Sequence, residues 1–165
     1  MAKSTRQETL FDTTPELLFK VLVDHDFKIA SALADEGMVE ATVKETKNTD
    51  KELILEVHCV EYARGMTGID KSKTERSVTT YIFDVERKRG TWEYKSLNSW
   101  ADKVKVTGTE SVVAAGDKAK LVSEATFSVK IPLLGSKIES FIAKDLEKQR
   151  PAYDRTVREF IEKLS

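Results

Sequence analysis

The chain has 165 residues, of which 40% are hydrophobic, a size and composition typical of one globular domain. Its 27 basic and 28 acidic side chains leave a formal net charge of −1, which provides no general attraction to a nucleic-acid backbone. The single cysteine, Cys59, excludes an internal disulfide framework and provides too few thiols for a zinc ribbon. We therefore expect a single domain over residues 1–165 that binds no nucleic acid and holds neither a metal nor a cofactor.

The N-terminal segment is short and polar and lacks the apolar run of a secretory signal. No stretch approaches the roughly 20 consecutive apolar residues of a membrane span. Together with the lone cysteine, these features favour a protein of the reducing cytoplasm.

The first elements in chain order are a short strand and two brief helices. The alternation at residues 8–12 predicts the strand. Thr14 and Pro15 then provide a capping hydroxyl and a proline where a helix begins. Helical spacing of apolar residues is interrupted near residues 24–26 and resumes with Phe27. We expect Gly37 to end the second helix.

Residues 38–131 show the period-two alternation of β-strands, divided by turn-forming clusters. The connections are mostly short enough for antiparallel hairpins, and one strand face is much more apolar than the other. A helix must therefore cover the apolar face. The six predicted strands lie near 38–47, 52–62, 75–86, 90–97, 104–114 and 119–131.

The last predicted element is a long amphipathic helix over residues 136–164, with one apolar stripe that suits the open face of the sheet. Ser136 and Glu139 have the spacing of a capping box at its start. Pro151 lies inside the periodic stretch and predicts a kink or a break near residues 148–150.

This order of elements resembles the START-like superfamily, the helix-grip fold, over essentially the whole chain. The segment Ile131-Pro132-Leu133-Leu134-Gly135-Ser136-Lys137-Ile138-Glu139 looks like the strand-to-helix junction of a bacterial START-like family whose function has not been assigned. The resemblance implies an α+β fold in which a curved antiparallel sheet of about seven strands wraps the last helix around an apolar cavity. Members of the superfamily include lipid carriers, hormone and pigment binders, polyketide cyclases and quinone chaperones. The turn at residues 48–51 lacks the glycine-rich loop of the pollen-allergen branch, so the hormone-binding role of that branch is not transferred.

The connections between strands alternate between the two ends of the predicted sheet. One end has short charged turns. The other end, which we call the mouth end, has the longer segments 63–74, 97–103 and 132–135. Its apolar residues suit a gate for a ligand, a docking surface for a partner or membrane, or loop tips that fold back onto the core. Those residues are Met66, Ile69, Leu97, Trp100, Leu133 and Leu134.

The residues expected to line the cavity are mostly apolar, with a few polar groups that would orient a ligand. For each aromatic member, ordinary core packing is the competing explanation. The candidate ligand-binding residues are Tyr81, Phe83, Trp92, Tyr94, Trp100, Phe127, Leu134, Phe141, Ile142, Asp145 and Gln149.

Two polar residues have alternative interpretations. Glu110 has the strand parity of Val106 and would point inward, unless a bulge at Gly108 reverses the phase. An inward carboxylate is expected to have a basic partner rather than to be free. Gln149 either faces the cavity or caps backbone groups freed by Pro151.

The sequence gives little support for catalysis, and we predict no catalytic residue. His58 has the polar parity of its strand, and His25 lies at a helix junction, so neither is expected to line the cavity. Cys59 has inward parity without a histidine on its own face, which favours a buried, inert thiol.

Three hypotheses about function remain open. The first is a binder or carrier of a small hydrophobic molecule, such as a lipid, an isoprenoid or a polyketide-like compound. The second is a cyclase-type enzyme in which Glu110, Asp145, Tyr81 or Tyr94 moves protons. The third is a regulatory module that uses the apolar mouth end against a protein or membrane, with the cavity collapsed.

Overall fold

A computed structural model describes residues 2–65, 67–98 and 102–165. The seven strands form one curved antiparallel sheet in the order β1-β7-β6-β5-β4-β3-β2, and the long helix α3 completes the predicted α+β helix-grip fold. The elements are β1 (Ala2–Phe11), α1 (Pro15–Leu22), α2 (His25–Leu33), β2 (Met38–Asn48), β3 (Glu52–Gly65), β4 (Gly68–Asp84), β5 (Arg89–Ser96), β6 (Val104–Ala115), β7 (Lys118–Val129) and α3 (Gly135–Leu164).

The two short helices begin with side-chain caps. The Leu17 N–H donates to the Thr14 hydroxyl at 3.2 Å, with Pro15 at the first helical position, as the sequence predicts. The prediction that Gly37 ends α2 is wrong, because α2 ends at Leu33. The Gly37 N–H instead donates to the Asp35 carboxylate in the turn that leads to β2.

Strand β1 is longer than the period-two pattern predicts. It pairs with β7 over its whole length, from Ala2 opposite Ser128 to Phe11 opposite Ala119. Its first residues are polar and exposed, so they carry no apolar alternation that would mark a strand.

The β3–β4 hairpin corrects another prediction, because residues 63–74 belong largely to strands rather than to a loop. Strand β3 continues to Gly65 and β4 begins at Gly68. The register shifts where Tyr62 faces Thr74 but Ala63 faces Asp70, so residues 71–73 form a bulge. This hairpin is mostly solvent-exposed, which explains why its sequence lacks a clear apolar period.

The start of α3 also differs from the sequence prediction. Leu134 occupies the N-cap position without a side-chain hydrogen bond, so Ser136 and Glu139 do not form a capping box. The Glu139 carboxylate instead accepts a buried hydrogen bond of 3.0 Å from the Val129 N–H at the end of β7. This bond links the first turns of α3 to the end of β7.

We expect Glu139→Leu to lower the free energy of unfolding by about 1–3 kcal/mol, because it leaves the buried Val129 N–H without an acceptor. Glu139→Gln is the matched control, since it keeps an acceptor oxygen at nearly the same position. Urea denaturation of both variants checks this. Equal stability of the Leu and Gln variants would show that the bond contributes nothing.

Helix α3 is continuous from Gly135 to Leu164, so the predicted break near residues 148–150 does not occur. Pro151 lies within the helix and is exposed. Buried residues on both sides of it, Ala143 and Val157, hold the two halves in place. Within the described ranges, no helix combines the length and the apolar character needed to cross a membrane.

The interior of the fold has two regions of different packing. The region at the end opposite the mouth, which we call the closed end, is fully packed between α1, α2, the second half of α3 and the sheet. The region at the mouth end has a small buried cluster, Val106, Ala125, Phe127 and Ala143, surrounded by residues that keep some accessible surface. The closed-end core includes Phe11, Leu18, Leu22, Phe27, Phe83, Leu121, Val157 and Phe160.

Candidate ligand-binding cleft

Partly buried apolar side chains lie between the concave face of the sheet and the first half of α3, and we call this region the candidate cleft, or the cleft for short. Trp92 faces Gly108 across strands, and Tyr94 faces Val106, so these side chains share the inner face. The cleft is lined by Trp92, Tyr94, Val104, Ile142 and Leu146, which surround the mouth-end cluster and are only partly buried.

The position of α3 explains why these side chains are not fully buried. The helix makes its closest backbone approaches to β1, β7, α1 and α2 rather than to β4, β5 and β6. The large apolar side chains on β5 and β6 therefore keep some accessible surface beside the helix. This exposure follows from the placement of α3 rather than from one side chain.

Gly108 determines how Trp92 lies in the cleft. A Cβ atom at this position would come within 2.2 Å of the Trp92 indole, so only glycine lets the ring lie directly on β6. The bulge at Gly108 that the sequence left open as an alternative does not occur. The ladder between β5 and β6 and the ladder between β6 and β7 both pass Gly108 without a register shift.

A hydrogen-bonded polar group forms one wall near the mouth end. The Tyr94 hydroxyl donates to Glu61 Oε1 at 2.6 Å, and the Ser77 hydroxyl donates to Glu61 Oε2 at 3.3 Å. Burial raises the pKa of Glu61, although both hydrogen bonds favour its charged form. Burial and the nearby Glu61 charge raise the pKa of Tyr94. The group presents hydroxyl and carboxyl oxygens beside an otherwise apolar wall.

Glu61 was not among the residues predicted from the sequence, although its strand parity pointed to it. Glu61 continues the inward parity of Leu55, Val57 and Cys59 on β3. Cys59 itself is buried, and burial raises the pKa of its thiol to about 11, which suits the inert thiol that the sequence predicts.

Arg64 joins three elements beside a side cavity of about 310 Å³. Its guanidinium donates to Asp145 Oδ2 on α3 at 2.7 Å and also bonds the Asp35 carboxylate just after α2. The Gln149 amide donates to the same Asp145 oxygen at 2.7 Å. The lining of the side cavity includes Asp35, Arg64, Asp145, Gln149, Ala152 and Tyr153.

A buried ion pair lies deeper in the fold and joins Lys28 on α2 to Glu110 on β6. Glu110 points inward, and its carboxylate lies 3.5 Å from Lys28 Nζ. The pairing with a basic group is thus the alternative that the structure favours. Lys28 and Glu110 are only 3% and 6% exposed. Burial lowers the pKa of Lys28, and the Glu110 charge opposes that shift.

The Lys28 ammonium also lies 3.7 Å from the ring centroid of Tyr81, a cation–π contact. Tyr81 in turn stacks on Phe83, with ring centroids 5.8 Å apart. The spacing of apolar residues in α2 did not predict that Lys28 is buried, because a lysine on a helix normally faces solvent.

The structure brings together only some of the predicted ligand-binding residues. Trp92, Tyr94 and Ile142 line the cleft, whereas Asp145 and Gln149 line the side cavity. Phe83 and Phe127 are fully buried behind these surfaces. Phe141 is partly buried, Leu134 is exposed at the mouth end, and Trp100 lies outside the described residues. That each of these residues contacts a ligand stays a prediction.

The histidines lie away from the cleft, as the strand parity and the helix junction predict. His58 is exposed and its ring nitrogen lies 2.9 Å from the Glu56 carboxylate. His25 is exposed and lies 3.0 Å from the Glu45 carboxylate.

The strand order and the long C-terminal helix form a helix-grip fold, and the chain is similar to solved structures over nearly its whole length. The chain is similar to TTHA0849 from Thermus thermophilus (TM-score 0.67, 15% identity, 99% of each chain covered). It is similar to the Zhui aromatase/cyclase from Streptomyces sp. R1128 (TM-score 0.62, 14% identity, covering 98% of this chain and 94% of that one). It is also similar to a START superfamily protein from Mycobacterium smegmatis (TM-score 0.58, 14% identity, covering 98% and 99%).

More narrowly, residues 7–161 match the model of DUF2505, a family described as of unknown function, and the chain belongs to that family. No curated protein sequence matches the chain. The identities to the solved structures are low, so these likenesses establish the fold and leave the ligand open.

Proposed function

We propose that the protein binds a small hydrophobic molecule in the cleft, of lipid-like, isoprenoid or polyketide-like kind, and carries it without chemical change. The supporting observation is the partly buried apolar lining, because a guest that covers it removes apolar surface from water, at about 25 cal/mol per Å². We further propose that residues 1–165 act as one domain and that the protein works in the cytoplasm.

The Glu61, Ser77 and Tyr94 group supports a guest with one polar end. These oxygens already bond one another, so a ligand hydroxyl or carbonyl would join an existing network rather than an isolated charge. An amphipathic guest would then lie with its apolar part along Trp92 and Ile142.

The cyclase alternative depends on the same wall. Glu110 is held by Lys28 and Asp145 by Arg64, whereas the Tyr94–Glu61 pair borders the cleft. Proton transfer, if any, would therefore use that pair. The third hypothesis, a regulatory module with a collapsed cavity, would require the residues of the cleft lining to be fully buried.

The test is native mass spectrometry of the purified protein and titration with the apolar dye 8-anilinonaphthalene-1-sulfonate. We expect Leu146→Trp, which fills the cleft, to weaken dye binding by about tenfold or more, equivalent to about 1.4 kcal/mol. Leu10→Trp, at an exposed apolar residue on β1, is the matched control and should leave the affinity unchanged.

Two outcomes would contradict the proposal that the cleft carries a ligand. Equal dye affinity of the Leu146→Trp and Leu10→Trp variants would place the dye outside the cleft. Conversion of a co-purified molecule during incubation, lost in Glu61→Gln, would move the protein to the cyclase class. A molecule recovered unchanged supports a carrier.

A further inference from the structure

The junction between β7 and α3 carries two adjacent exposed leucines. Leu133 is 99% exposed and Leu134 is 47% exposed. Leu97, which follows β5 at the same end of the sheet, is 63% exposed. We call Leu133 and Leu134 the leucine tip. These side chains do not fold back onto the core, which removes the simplest explanation for apolar residues at the mouth end.

Local structure does not require leucine at either position of the leucine tip. Leu133 has a φ of 69°, in the left-handed region that glycine and asparagine adopt more readily than leucine. Leu134 stands at the N-cap of α3 with a helical backbone and makes no side-chain hydrogen bond there. Local structure therefore disfavours leucine at residue 133 and does not require it at residue 134.

Lysines surround the leucine tip. Lys130 and Lys137 flank it in sequence, and the Lys130 N–H donates to the Lys103 carbonyl, which brings the start of β6 alongside. Lys105 lies two residues after Lys103. The side chains of Lys103, Lys105, Lys130 and Lys137 are all exposed. Across residues 2–65, 67–98 and 102–165, no carboxylate forms an ion pair with Lys105, Lys130 or Lys137.

Acidic residues offset this charge only in part. Between residues 130 and 144, Glu139 is the one acidic residue in the sequence, and its carboxylate is buried against the backbone at the end of β7. Asp102, which precedes Lys103, is exposed and offsets one of the four lysine charges. The whole chain has a net charge of −1, so the remaining positive surface is a local feature.

We propose that the mouth end docks on an anionic lipid bilayer, with the leucine tip entering the interface and the lysines at the level of the headgroups. Leucines on a protruding junction, ringed by cations, match a surface that is negative outside and apolar beneath. A protein partner would need an anionic groove that fits the side chains of Leu133 and Leu134. The charge pattern around the leucine tip does not indicate such a groove.

This docking is independent of whether the cleft holds a guest. The leucine tip and its lysines lie on the outer surface, whereas the cleft lining lies on the inner face of the sheet. Loss of vesicle binding and loss of cleft binding are therefore separate results.

The experiment is co-sedimentation of the full chain with phosphatidylcholine vesicles, with and without phosphatidylglycerol. We expect binding to the anionic vesicles only, falling as salt rises. Lys130→Gln with Lys137→Gln should weaken it by roughly 25-fold, or about fivefold for each lysine near the surface. The charge control is Lys44→Gln with Lys51→Gln, two exposed lysines away from the mouth end, and should leave binding unchanged.

The leucine tip is tested by Leu133→Asn with Leu134→Ser. We expect this variant to be at least as stable as the wild type in urea, because both leucines are exposed and asparagine suits the positive φ of residue 133, while vesicle binding falls by about tenfold or more. The apolar control is Leu10→Ser with Val113→Ser, both exposed elsewhere, and should bind like the wild type.

Three results would overturn the proposal. They are equal binding to neutral and anionic vesicles, no binding to either, and a tip variant that binds as tightly as its control. A stability loss in the tip variant would instead show that the leucines serve the fold.

Discussion

Lys28→Met is expected to lower the free energy of unfolding by about 3–5 kcal/mol, because it leaves the Glu110 carboxylate buried without its basic partner. The variant also removes the cation–π contact between the Lys28 ammonium and the Tyr81 ring. Methionine nearly matches the lysine stem in volume, so packing changes little. Urea denaturation followed by circular dichroism measures the loss.

The double variant Lys28→Met with Glu110→Leu separates the charge effect from the packing effect. Replacement of both partners of a buried ion pair by apolar residues is often neutral or stabilising, so we expect most of the lost stability to return. Lys20→Met, at an exposed lysine on α1, is the control and should change little. A single Lys28 variant as stable as the wild type would mean that the pair is not desolvated.

Phe83→Ala is expected to cost about 3–5 kcal/mol of unfolding free energy. Phe83 is fully buried, packs edge-on against Phe19 with ring centroids 5.9 Å apart, and stacks on Tyr81. Its removal leaves a cavity in the packed closed-end core. Urea denaturation of the variant gives the value directly.

Trp92→Ala is the informative comparison for Phe83→Ala. Trp92 borders the cleft and is only partly buried, so its loss should destabilise the fold by less, although the truncated group is larger. It should weaken dye binding, which Phe83→Ala alters only through stability. Equal destabilisation by the two variants would indicate that the space beside Trp92 is already filled by protein.

The architecture was predictable because the spacing of apolar residues within each segment indicates both its secondary structure and its buried face. The parity of β4 and β5 placed Tyr81 and Trp92 on one face, and they are cross-strand neighbours in the structure. The Thr14–Pro15 start of α1 depends only on residues that are adjacent in sequence. The strand ends were less predictable, since the exposed β3–β4 hairpin lacks an apolar face.

The polar part of the site was not predictable from the same patterns. Lys28 on α2 pairs with Glu110 on β6, and Arg64 on β3 pairs with Asp35 after α2 and with Asp145 on α3. Such pairs depend on three-dimensional neighbours far apart in sequence. Glu139 shows the same limit, because its spacing from Ser136 suited a capping box while its actual partner is on β7.

Pro151 lies between the half of α3 that borders the cleft, at Ile142 and Leu146, and the half that is packed into the closed-end core, at Val157 and Phe160. Proline has no N–H, so the Glu147 carbonyl has no backbone donor one turn later. Continuity of the helix past this missing bond therefore depends on the packing of its two halves, at Ala143 and at Val157, rather than on a complete run of backbone hydrogen bonds.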